Sequence, residues 1–424
     1  MRIARGRLIV LMVVVGTILG GCSTKEWMRS DEGGPEHSST GQTASEIVES
    51  QVSDGLVAGA VLLVTRRGKV VERGAFGYAQ KYEYGGRLLT NPHVMTPEHV
   101  FDLASLTKVF ATTFAIMMLV DDETVALDES VQSYLPEFTG SSRDSITVRH
   151  LLSHTSGLPP WQPTYFHARS SDDAFNYIRD LQLDYPVGAS RHYSDLGFML
   201  LGYIVERVSG LGLDAFLAQG LYRRLGLQNT GFRPLKTGLT PLVATSQGNP
   251  FERRMIEDPD FGYLIREQPS QFSDWRAYTL LGEVNDGNSW YAHDGVAGHA
   301  GLFSTVADLK VLVTLLMDGG LYNGVQLIKS ETISEFLTPD YTENGLGWAM
   351  SSNVLPVSNM PEGAFGHTGF TGTYVYANPA KHLSVILLTN RQNAGVNEDG
   401  NYPSLSALRR SVVASAERST EAAE

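Results

Sequence analysis

Two residues near position 105 have the types and the spacing to form an activated nucleophile. Ser105 and Lys108 stand three positions apart, so both side chains can project from the first turn of one helix toward the same side. A serine hydroxyl reacts only when a base removes its proton, and a lysine with a lowered pKa can be that base. The helix N-terminus disfavours the lysine charge, and the Ser105 N–H can stabilise an oxyanion. Because this spacing is common by chance, the interpretation needs support from elsewhere in the chain.

The second candidate group is Tyr193-Ser194-Asp195, which immediately precedes an apolar helical segment. A tyrosine on a loop beside a lysine can share its proton, because a nearby cation favours the phenolate. In the structural alternative, Ser194 caps the helix and Tyr193 packs beneath it. Taken alone, the segment leaves both interpretations open.

The third candidate group is His367-Thr368-Gly369-Phe370, at the beginning of an edge-like strand rich in glycine and threonine. Glycine beside a strand permits close backbone approach, so a substrate carbonyl could accept a hydrogen bond from the Phe370 N–H. A simple glycine-rich bulge is the alternative.

Four further polar residues could bind a metal ion or a substrate. His150 and His154 have helical i, i+4 spacing but lack the intervening glutamate of H-E-x-x-H, so we expect no metal, and no cofactor is indicated. His299 and Asp286 lie in a glycine-rich stretch, where each could line a substrate cleft or organise the loop through hydrogen bonds to the backbone.

The pattern of apolar residues predicts the elements that carry these groups. From Leu106 to Met118 apolar residues recur at helical spacing, which predicts a central buried helix. Residues 57–77 alternate about a polar turn and predict a β-hairpin. Most of 128–231 is predicted helical, and 234–301 is predicted to be a folded insertion near a functional surface.

The C-terminal part predicts two strands joined by a turn at Asn378-Pro379, followed by a helix over 404–417. Strands at both ends of the chain with helices between them indicate an α/β fold with α and β lobes. We expect one antiparallel sheet built from both chain ends, with flanking helices and an inserted, mostly helical lobe.

The N-terminus has the pattern of an export signal. Three arginines precede an apolar run over Leu8–Gly20, and 13 helical residues reach only about 20 Å, less than the roughly 30 Å of a bilayer core. The run ends at Leu19-Gly20-Gly21-Cys22, which resembles the lipobox of bacterial lipoproteins. Cys22 is the only cysteine of the chain and is the expected lipidation site. The alternative is an ordinary signal peptide with an incidental cysteine.

The predicted organisation has three parts. Residues 1–21 are the signal peptide, 22–43 a flexible tether without apolar periodicity, and 44–419 the folded domain. We therefore expect an extracytoplasmic protein, anchored by lipid to the outer or the cytoplasmic membrane and facing the periplasm in a Gram-negative cell. The sequence gives no indication of oligomeric state.

Composition excludes two classes of protein. Of the 424 residues, 42% are hydrophobic and 19% charged, which is incompatible with global disorder. The formal net charge is −13, and an acidic chain repels the phosphates of nucleic acid. We expect no nucleic-acid partner.

Together and in this order, SLTK, YSD and HTG resemble the S-x-x-K, Y-x-N and K-T-G motifs of the serine β-lactamase and penicillin-binding protein superfamily, class C branch. The resemblance spans nearly all of residues 44–419 and implies the β-lactamase/D,D-peptidase-like fold. It also implies that Ser105 is acylated and that Lys108 and Tyr193 are the acid/base pair. The N–H groups of Ser105 and Phe370 would form the oxyanion hole.

Two departures from the motifs bear on the substrate. Asp195 stands where the superfamily has an asparagine, and a carboxylate can only accept hydrogen bonds, which favours a charged Lys108. His367 replaces the lysine that attracts a substrate carboxylate, and a histidine is largely neutral at pH 7. Asp195, His367, Thr368, Gly369, Phe370 and His299 are the predicted substrate-binding or oxyanion residues.

The resulting prediction is a lipid-anchored serine hydrolase without cofactor or metal. Its expected substrate is an amide or ester derived from peptidoglycan, and the membrane is its other partner, through the lipid on Cys22. D,D-carboxypeptidase, muramoyl-L-alanine amidase and esterase activities remain open, and β-lactamase activity ranks lower. A penicillin-binding or muropeptide-sensing module without turnover is the alternative from another class.

Overall fold

The computed structural model describes residues 41–140, 142–261 and 263–418. Cys22 and the predicted signal peptide lie outside these residues. Within them the strands are β1 (Gly59–Arg66), β2 (Lys69–Glu83), β3 (Arg87–Val94), β4 (Phe101–Asp102), β5 (Gly231–Phe232), β6 (Ala244–Gln247), β7 (Thr279–Leu281), β8 (Leu302–Ser304), β9 (Leu321–Tyr322), β10 (Val325–Gln326), β11 (Phe365–Thr368), β12 (Tyr374–Asn378) and β13 (Leu383–Thr389).

The α-helices of the same residues are α1 (Ala44–Ser53), α2 (Phe114–Asp121), α3 (Val131–Tyr134), α4 (Val148–Leu152), α5 (Ser171–Asp180), α6 (Asp195–Ser209), α7 (Leu213–Leu217), α8 (Pro234–Thr237), α9 (Pro250–Glu257), α10 (Val306–Met317), α11 (Ser330–Phe336) and α12 (Ser406–Arg418). Shorter 3₁₀ and π-helical turns connect several of them. No single helix among the described residues has both the length and the apolar character to cross a membrane.

A six-stranded antiparallel sheet joins the two ends of the chain, in the order β11-β12-β13-β1-β2-β3. β1 pairs with β2 through a two-residue turn in which Arg67 has φ 46° and Gly68 has φ 74°. Positive φ at both positions gives a turn whose twist matches that of the strands. The predicted hairpin and the predicted sheet from both chain ends are therefore confirmed.

The central strand β1 has apolar side chains on both of its faces, and each face packs into a separate hydrophobic core. Val61 and Leu63 pack into the larger core that includes α2, α6 and α10, whereas Leu62 and Val64 pack into a second core formed with α1 and α12. Full burial of such side chains stabilises the fold by about 1.5–3 kcal/mol each. The mostly helical lobe, α3 to α7, is inserted between the two groups of strands, as predicted.

The predicted central helix is present and buried, but its first part is not α-helical. Residues Lys108–Thr113 form a π-helical segment that continues directly into α2. Phe110 and Phe114 are fully buried, in agreement with the apolar stripe. Single π turns inside helices occur frequently at functional sites.

The turn predicted at Asn378-Pro379 joins β12 to β13, but the prediction of two strands in this region missed a third. The structure has three, because a glycine-rich turn closed by the Gly369 N–H and the Thr373 carbonyl, 2.8 Å apart, separates β11 from β12. β11 is the edge strand, as expected. His367 and Thr368 therefore lie at its end, not at the beginning of a strand.

Candidate active site

The backbone turn before Ser105 is fixed by a buried carboxylate. Ala104 has φ 47°, a conformation that L-residues rarely adopt, and its N–H donates to Asp102 Oδ1 at 2.9 Å. Asp102 also accepts from the Asn285 N–H at 2.6 Å. Strained backbone held in this way is common at active sites. The turn brings Ser105 to the wall of a pocket.

Lys108 is enclosed and makes three short polar contacts. Its Nζ lies 3.1 Å from Ser105 Oγ, 3.1 Å from the His299 carbonyl oxygen and 2.7 Å from Asp195 Oδ1. Burial disfavours the ammonium, but the charges of Asp195 and Tyr193 outweigh this effect and raise the pKa of Lys108 above its ordinary value. Lys108 is therefore a cation at neutral pH, as the aspartate at position 195 suggested.

Tyr193 covers the same ammonium. Lys108 Nζ lies 4.8 Å from the centre of the Tyr193 ring, within range of a cation–π contact. Burial raises the pKa of the Tyr193 phenol, while the Lys108 charge and hydrogen bonds with Lys108 and Ser105 oppose that shift. The structure thus brings Ser105, Lys108 and Tyr193 together, as their predicted roles require.

Both interpretations of the second motif hold at once. Ser194 Oγ accepts from the Gly197 N–H at 3.3 Å and caps α6, while it donates to the Pro159 carbonyl at 2.8 Å. The cap fixes the direction of the chain at the point where Tyr193 leaves it. Helix capping therefore positions Tyr193 for its contact with Lys108.

His150 and His154 do not form a pair. α4 ends at Leu152, and His154 has φ 60°, so the two rings are not on one helical face. His154 packs against the Tyr193 ring, with ring centres 4.5 Å apart, and its Nδ1 accepts from the Ser194 N–H. Burial, followed by the charges of Arg191 and Lys108, holds the pKa of His154 well below its usual range. His154 is a neutral support for Tyr193.

Gly369 allows the third motif, His367-Thr368-Gly369-Phe370, to pack against the segment that leads to Ser105. A Cβ on Gly369 would lie 2.5 Å from the Leu103 carbonyl oxygen, so only glycine lets this segment lie against the chain that leads to Ser105. Thr371 and Thr373 donate to the Asp102 and Leu103 carbonyls at 2.7 and 2.9 Å. Phe370 consequently lines the pocket beside Ser105.

His367 is enclosed behind Tyr193. Its ring centre lies 6.1 Å from that of Tyr193, and its Nδ1 donates to the Thr368 carbonyl at 2.8 Å. Burial, followed by the charge of Lys108, lowers the pKa of His367 to about 3. His367 is therefore neutral at physiological pH and provides no cation for a substrate carboxylate.

His299 contributes through its backbone as well as its ring. The Gly298–Gly301 segment lies against α6, where a Cβ on Gly298 would come within 2.0 Å of the Phe198 carbonyl oxygen. Because the segment lies so close to α6, the His299 carbonyl oxygen lies within hydrogen-bonding distance of Lys108 Nζ. The His299 ring is buried, and its Nε2 lies 2.8 Å from Asp286 Oδ1. His299 and Asp286 therefore both belong to the site. Their position in a glycine-rich stretch had left open whether they line the cleft or organise the loop.

Asp195, Asp286 and His299 present ligand-type atoms that lie within 4.8 Å of one another. Two carboxylates and an imidazole are a donor set that metal ions accept. However, the Lys108 ammonium already neutralises Asp195 at 2.7 Å and would face any cation bound there. The charge of Lys108 thus disfavours a metal ion at this cluster.

Sequence reasoning did not identify three residues that shape the site. Trp161 and Glu252 line the pocket with Ser105, and Arg191 exerts its charge on both Tyr193 and His367. Glu252 Oε1 accepts from the Gly287 N–H at 2.7 Å. Burial, followed by the Asp286 charge, raises the pKa of Glu252 well above its ordinary value. Glu252 lies on a short amphipathic helix, where an acidic residue usually indicates only a solvated face.

The sequence profile described as Beta-lactamase matches residues 44–408. A Bacillus subtilis (strain 168) protein named "N-acetylmuramyl-L-alanine amidase" is 35% identical over 382 residues, 85% of this chain and 83% of that protein. A Salmonella agona (strain SL483) protein named "Putative D-alanyl-D-alanine carboxypeptidase" is 33% identical over 359 residues, 79% of each chain.

Solved structures share the fold. A class C beta lactamase from Rhodobacter sphaeroides superposes with a TM-score of 0.63 at 20% identity, over 89% of this chain and 98% of its own. EstCE1, described as a hydrolase with promiscuous acyltransferase activity, has a TM-score of 0.62 at 22% identity, over 87% and 97%. At these identities the likeness concerns the fold alone.

Proposed function

The chain belongs to the Beta-lactamase family of serine hydrolases, and from this premise we propose that it cleaves an amide of peptidoglycan fragments through an acyl-enzyme on Ser105. The bond we assign is the one between N-acetylmuramic acid and L-alanine. The observation that carries this choice is the neutral, enclosed His367, which cannot attract the terminal carboxylate of a D-alanyl-D-alanine peptide.

The pocket beside Ser105 supports the same substrate. Its wall combines the aromatic rings of Trp161, Phe251 and Phe370 with the carboxyl groups of Glu252 and Asp286. Aromatic faces and hydrogen-bonding carboxyl groups suit an uncharged, hydroxylated acyl group, whereas the negative charge of Asp286 repels a carboxylate. The amidase named above is also the relative with the higher identity of the two.

Acylation follows from the contacts of Lys108. Ser105 Oγ forms a bond to the carbonyl carbon, and its proton passes through the Lys108–Tyr193 pair to the leaving nitrogen as the C–N bond breaks. Because Lys108 is charged at rest, the pair must lose one proton before it can accept that of Ser105. The phenol of Tyr193 beside the ammonium gives the pair a second site for the proton. The N–H groups of Ser105 and Phe370 serve as the oxyanion hole in this mechanism.

One observation favours a second candidate, D-alanyl-D-alanine carboxypeptidase. Arg191 is a cation close enough to influence both Tyr193 and His367. A guanidinium at this edge of the site would replace the missing lysine of the third motif as the partner of a substrate carboxylate.

Mass spectrometry of defined muropeptides incubated with the lipid-free protein tests the proposal. We expect free N-acetylmuramic acid and a peptide that begins with L-alanine. Loss of the terminal D-alanine alone would instead indicate the carboxypeptidase. A stable adduct on Ser105 without released product would indicate the non-turnover sensor. Ser105→Ala should be inactive, whereas Ser133→Ala, at a surface serine bonded to Glu129, is the matched control.

We also propose that the protein is exported and anchored by lipid on Cys22, since the lipobox-like segment and the tether precede the folded domain. Such an anchor would hold the hydrolase at the membrane surface, facing the cell wall. Incorporation of labelled fatty acid into the wild type, and its loss with release into the soluble fraction in Cys22→Ser, would support this. Equal membrane retention of both proteins would contradict it.

A further inference from the structure

The three donors of the Lys108 ammonium are all engaged. An ammonium has three N–H bonds and no lone pair. Lys108 Nζ donates to Ser105 Oγ and to the His299 carbonyl, both at 3.1 Å, and it also contacts its ion-pair partner Asp195 Oδ1 at 2.7 Å and the Tyr193 phenol. In this state Lys108 cannot accept a proton from a second molecule, such as the water that must hydrolyse an acyl-enzyme. A different group is needed for that step.

Asp286 has the position and the hydrogen bonds of such a group. It lines the same pocket as Ser105 and Asp195. One of its oxygens, Oδ1, is held by the His299 ring at 2.8 Å and by the Ser289 N–H at 2.7 Å. Burial opposes ionisation of Asp286, but the His299 charge and hydrogen bond outweigh it and hold its pKa below the ordinary value. Asp286 is thus a fixed carboxylate whose orientation is set by two donors.

The separation of the two carboxylates suits a single bridging water. Asp195 and Asp286 present oxygens within 4.8 Å of each other. A water that donates two hydrogen bonds of about 2.8 Å at a tetrahedral angle spans acceptors roughly 4.5 Å apart. Both protons of that water would point at carboxylates, which leaves its lone pairs available for the ester carbon on Ser105.

We infer that Asp286, with Asp195 opposite it, holds and deprotonates the water that hydrolyses the acyl-enzyme, and that His299 positions Asp286. This inference rests on the acyl-enzyme on Ser105 proposed above. It also gives a reason for the aspartate at position 195, because an asparagine amide there would turn a donor toward the water or replace one of its acceptors.

Before deacylation Lys108, whose pKa is raised, takes back from solvent the proton that the Lys108–Tyr193 pair lost before acylation. The water oxygen bonds to the acyl carbon, and one of its protons passes to Asp286. The bond between the acyl carbon and Ser105 Oγ then breaks, Ser105 Oγ takes a proton from Lys108, and the product leaves with its new carboxyl group. Transfer of the proton from Asp286 by way of Asp195 to Lys108 restores the resting state.

Pre-steady-state hydrolysis of p-nitrophenyl acetate by the full domain tests the inference independently of any cell-wall substrate. In Asp286→Asn we expect about one equivalent of nitrophenol to be released rapidly, followed by turnover at least about 100-fold slower than wild type, the size expected for loss of a general base. Mass spectrometry should show the acetyl group retained on Ser105. Asp294→Asn, which removes an exposed carboxylate paired with Arg233 and Lys236, is the matched control.

Rescue by a nucleophile that needs no general base distinguishes a loss of catalysis in Asp286→Asn from a loss of folding. Hydroxylamine should restore turnover of acetylated Asp286→Asn, with acetohydroxamate as product, and His299→Gln should show the same pattern in weaker form. Wild-type turnover in Asp286→Asn would overturn the inference. So would a parallel loss of acylation and turnover without rescue by hydroxylamine. Unchanged ester hydrolysis by Ser105→Ala would instead overturn the acyl-enzyme mechanism itself.

Discussion

Lys108 and Asp195 form an ion pair inside the protein, with Nζ 2.7 Å from Oδ1 and the lysine side chain fully enclosed. A buried pair of this kind fixes the charge state of both partners, because removing one leaves the other without compensation. The proposed nucleophile, Ser105, therefore faces a cation in the resting site, and the pH dependence of acylation should follow from the stability of that cation.

Asp195→Asn should move the acid limb of the acylation rate to lower pH. The Asp195 carboxylate raises the pKa of Lys108, and without it burial lowers that pKa against the opposing effect of Tyr193. The Lys108–Tyr193 pair then loses, at a lower pH, the proton that prevents it from accepting the proton of Ser105. Single-turnover acylation by an ester, measured from pH 5 to pH 10, checks this. If the acid limb of the pH–rate profile does not shift, the ionisation of Lys108 does not control acylation.

The same substitution should destabilise the protein at neutral pH by about 3 kcal/mol or less, since a neutral Lys108 reduces the penalty. The sign follows from the raised pKa of Lys108. Its contribution is fully present below the unfolded value near pH 10.4 and is lost as pH rises through the folded value. Urea unfolding of both proteins at pH 7 and pH 11 measures it. The two free energies of unfolding should converge at the alkaline end.

His367→Asn should make the protein less sensitive to acid. The folded pKa is about 3, below the unfolded value near 6.5, so the unfolded wild type binds one more proton at this residue between those limits. The wild type should lose about 1.4 kcal/mol per pH unit relative to the variant between pH 6 and pH 4. Denaturant titrations at three pH values test this. The exposed His93→Asn is the control, and a parallel response of both variants would contradict the prediction.

Glu252→Gln should gain stability relative to the wild type as pH rises from 5 to 8. Because the folded pKa of Glu252 is raised, the native state retains a proton that the unfolded chain releases above about pH 4.3. The amide can still accept from the Gly287 N–H, so the pocket should keep its shape. Thermal unfolding across this range checks the trend. Glu257→Gln, an exposed change on the same helix, should show none of it.

Gly298→Ala should reduce activity more than its effect on folding explains. The new Cβ would meet the Phe198 carbonyl at 2.0 Å and push the His299 carbonyl away from Lys108. Overpacking of this kind typically costs about 1–3 kcal/mol. Gly197→Ala in the first turn of α6 meets only Leu151, at 3.6 Å or more, and should be neutral or stabilising. kcat/KM for an ester and the melting temperature of both variants provide the comparison.

The sequence predicted what depends on local pattern and motif order. The hairpin of β1 and β2, the buried helix that carries Lys108, and the sheet from both chain ends follow from apolar periodicity, and Ser105, Lys108 and Tyr193 from their motifs. Glu252 and Arg191 were missed because their importance arises from neighbours distant in sequence. The His299 carbonyl was missed for a different reason: no pattern of side chains reports where a backbone oxygen will point. The division between β11 and β12 depends on the turn closed by Gly369 and Thr373, which strand periodicity does not reveal.

The place of β13 in the sheet has a consequence for biosynthesis. β13 lies between β12 and β1, so among the described residues the last strand in chain order pairs with the first. A nascent chain that stops short of residue 383 can contain Ser105, Lys108 and Tyr193 but lacks the strand that ties their two halves together. An unfinished polypeptide should consequently remain inert toward its substrate, and the cell gains a hydrolase only once synthesis has passed this point.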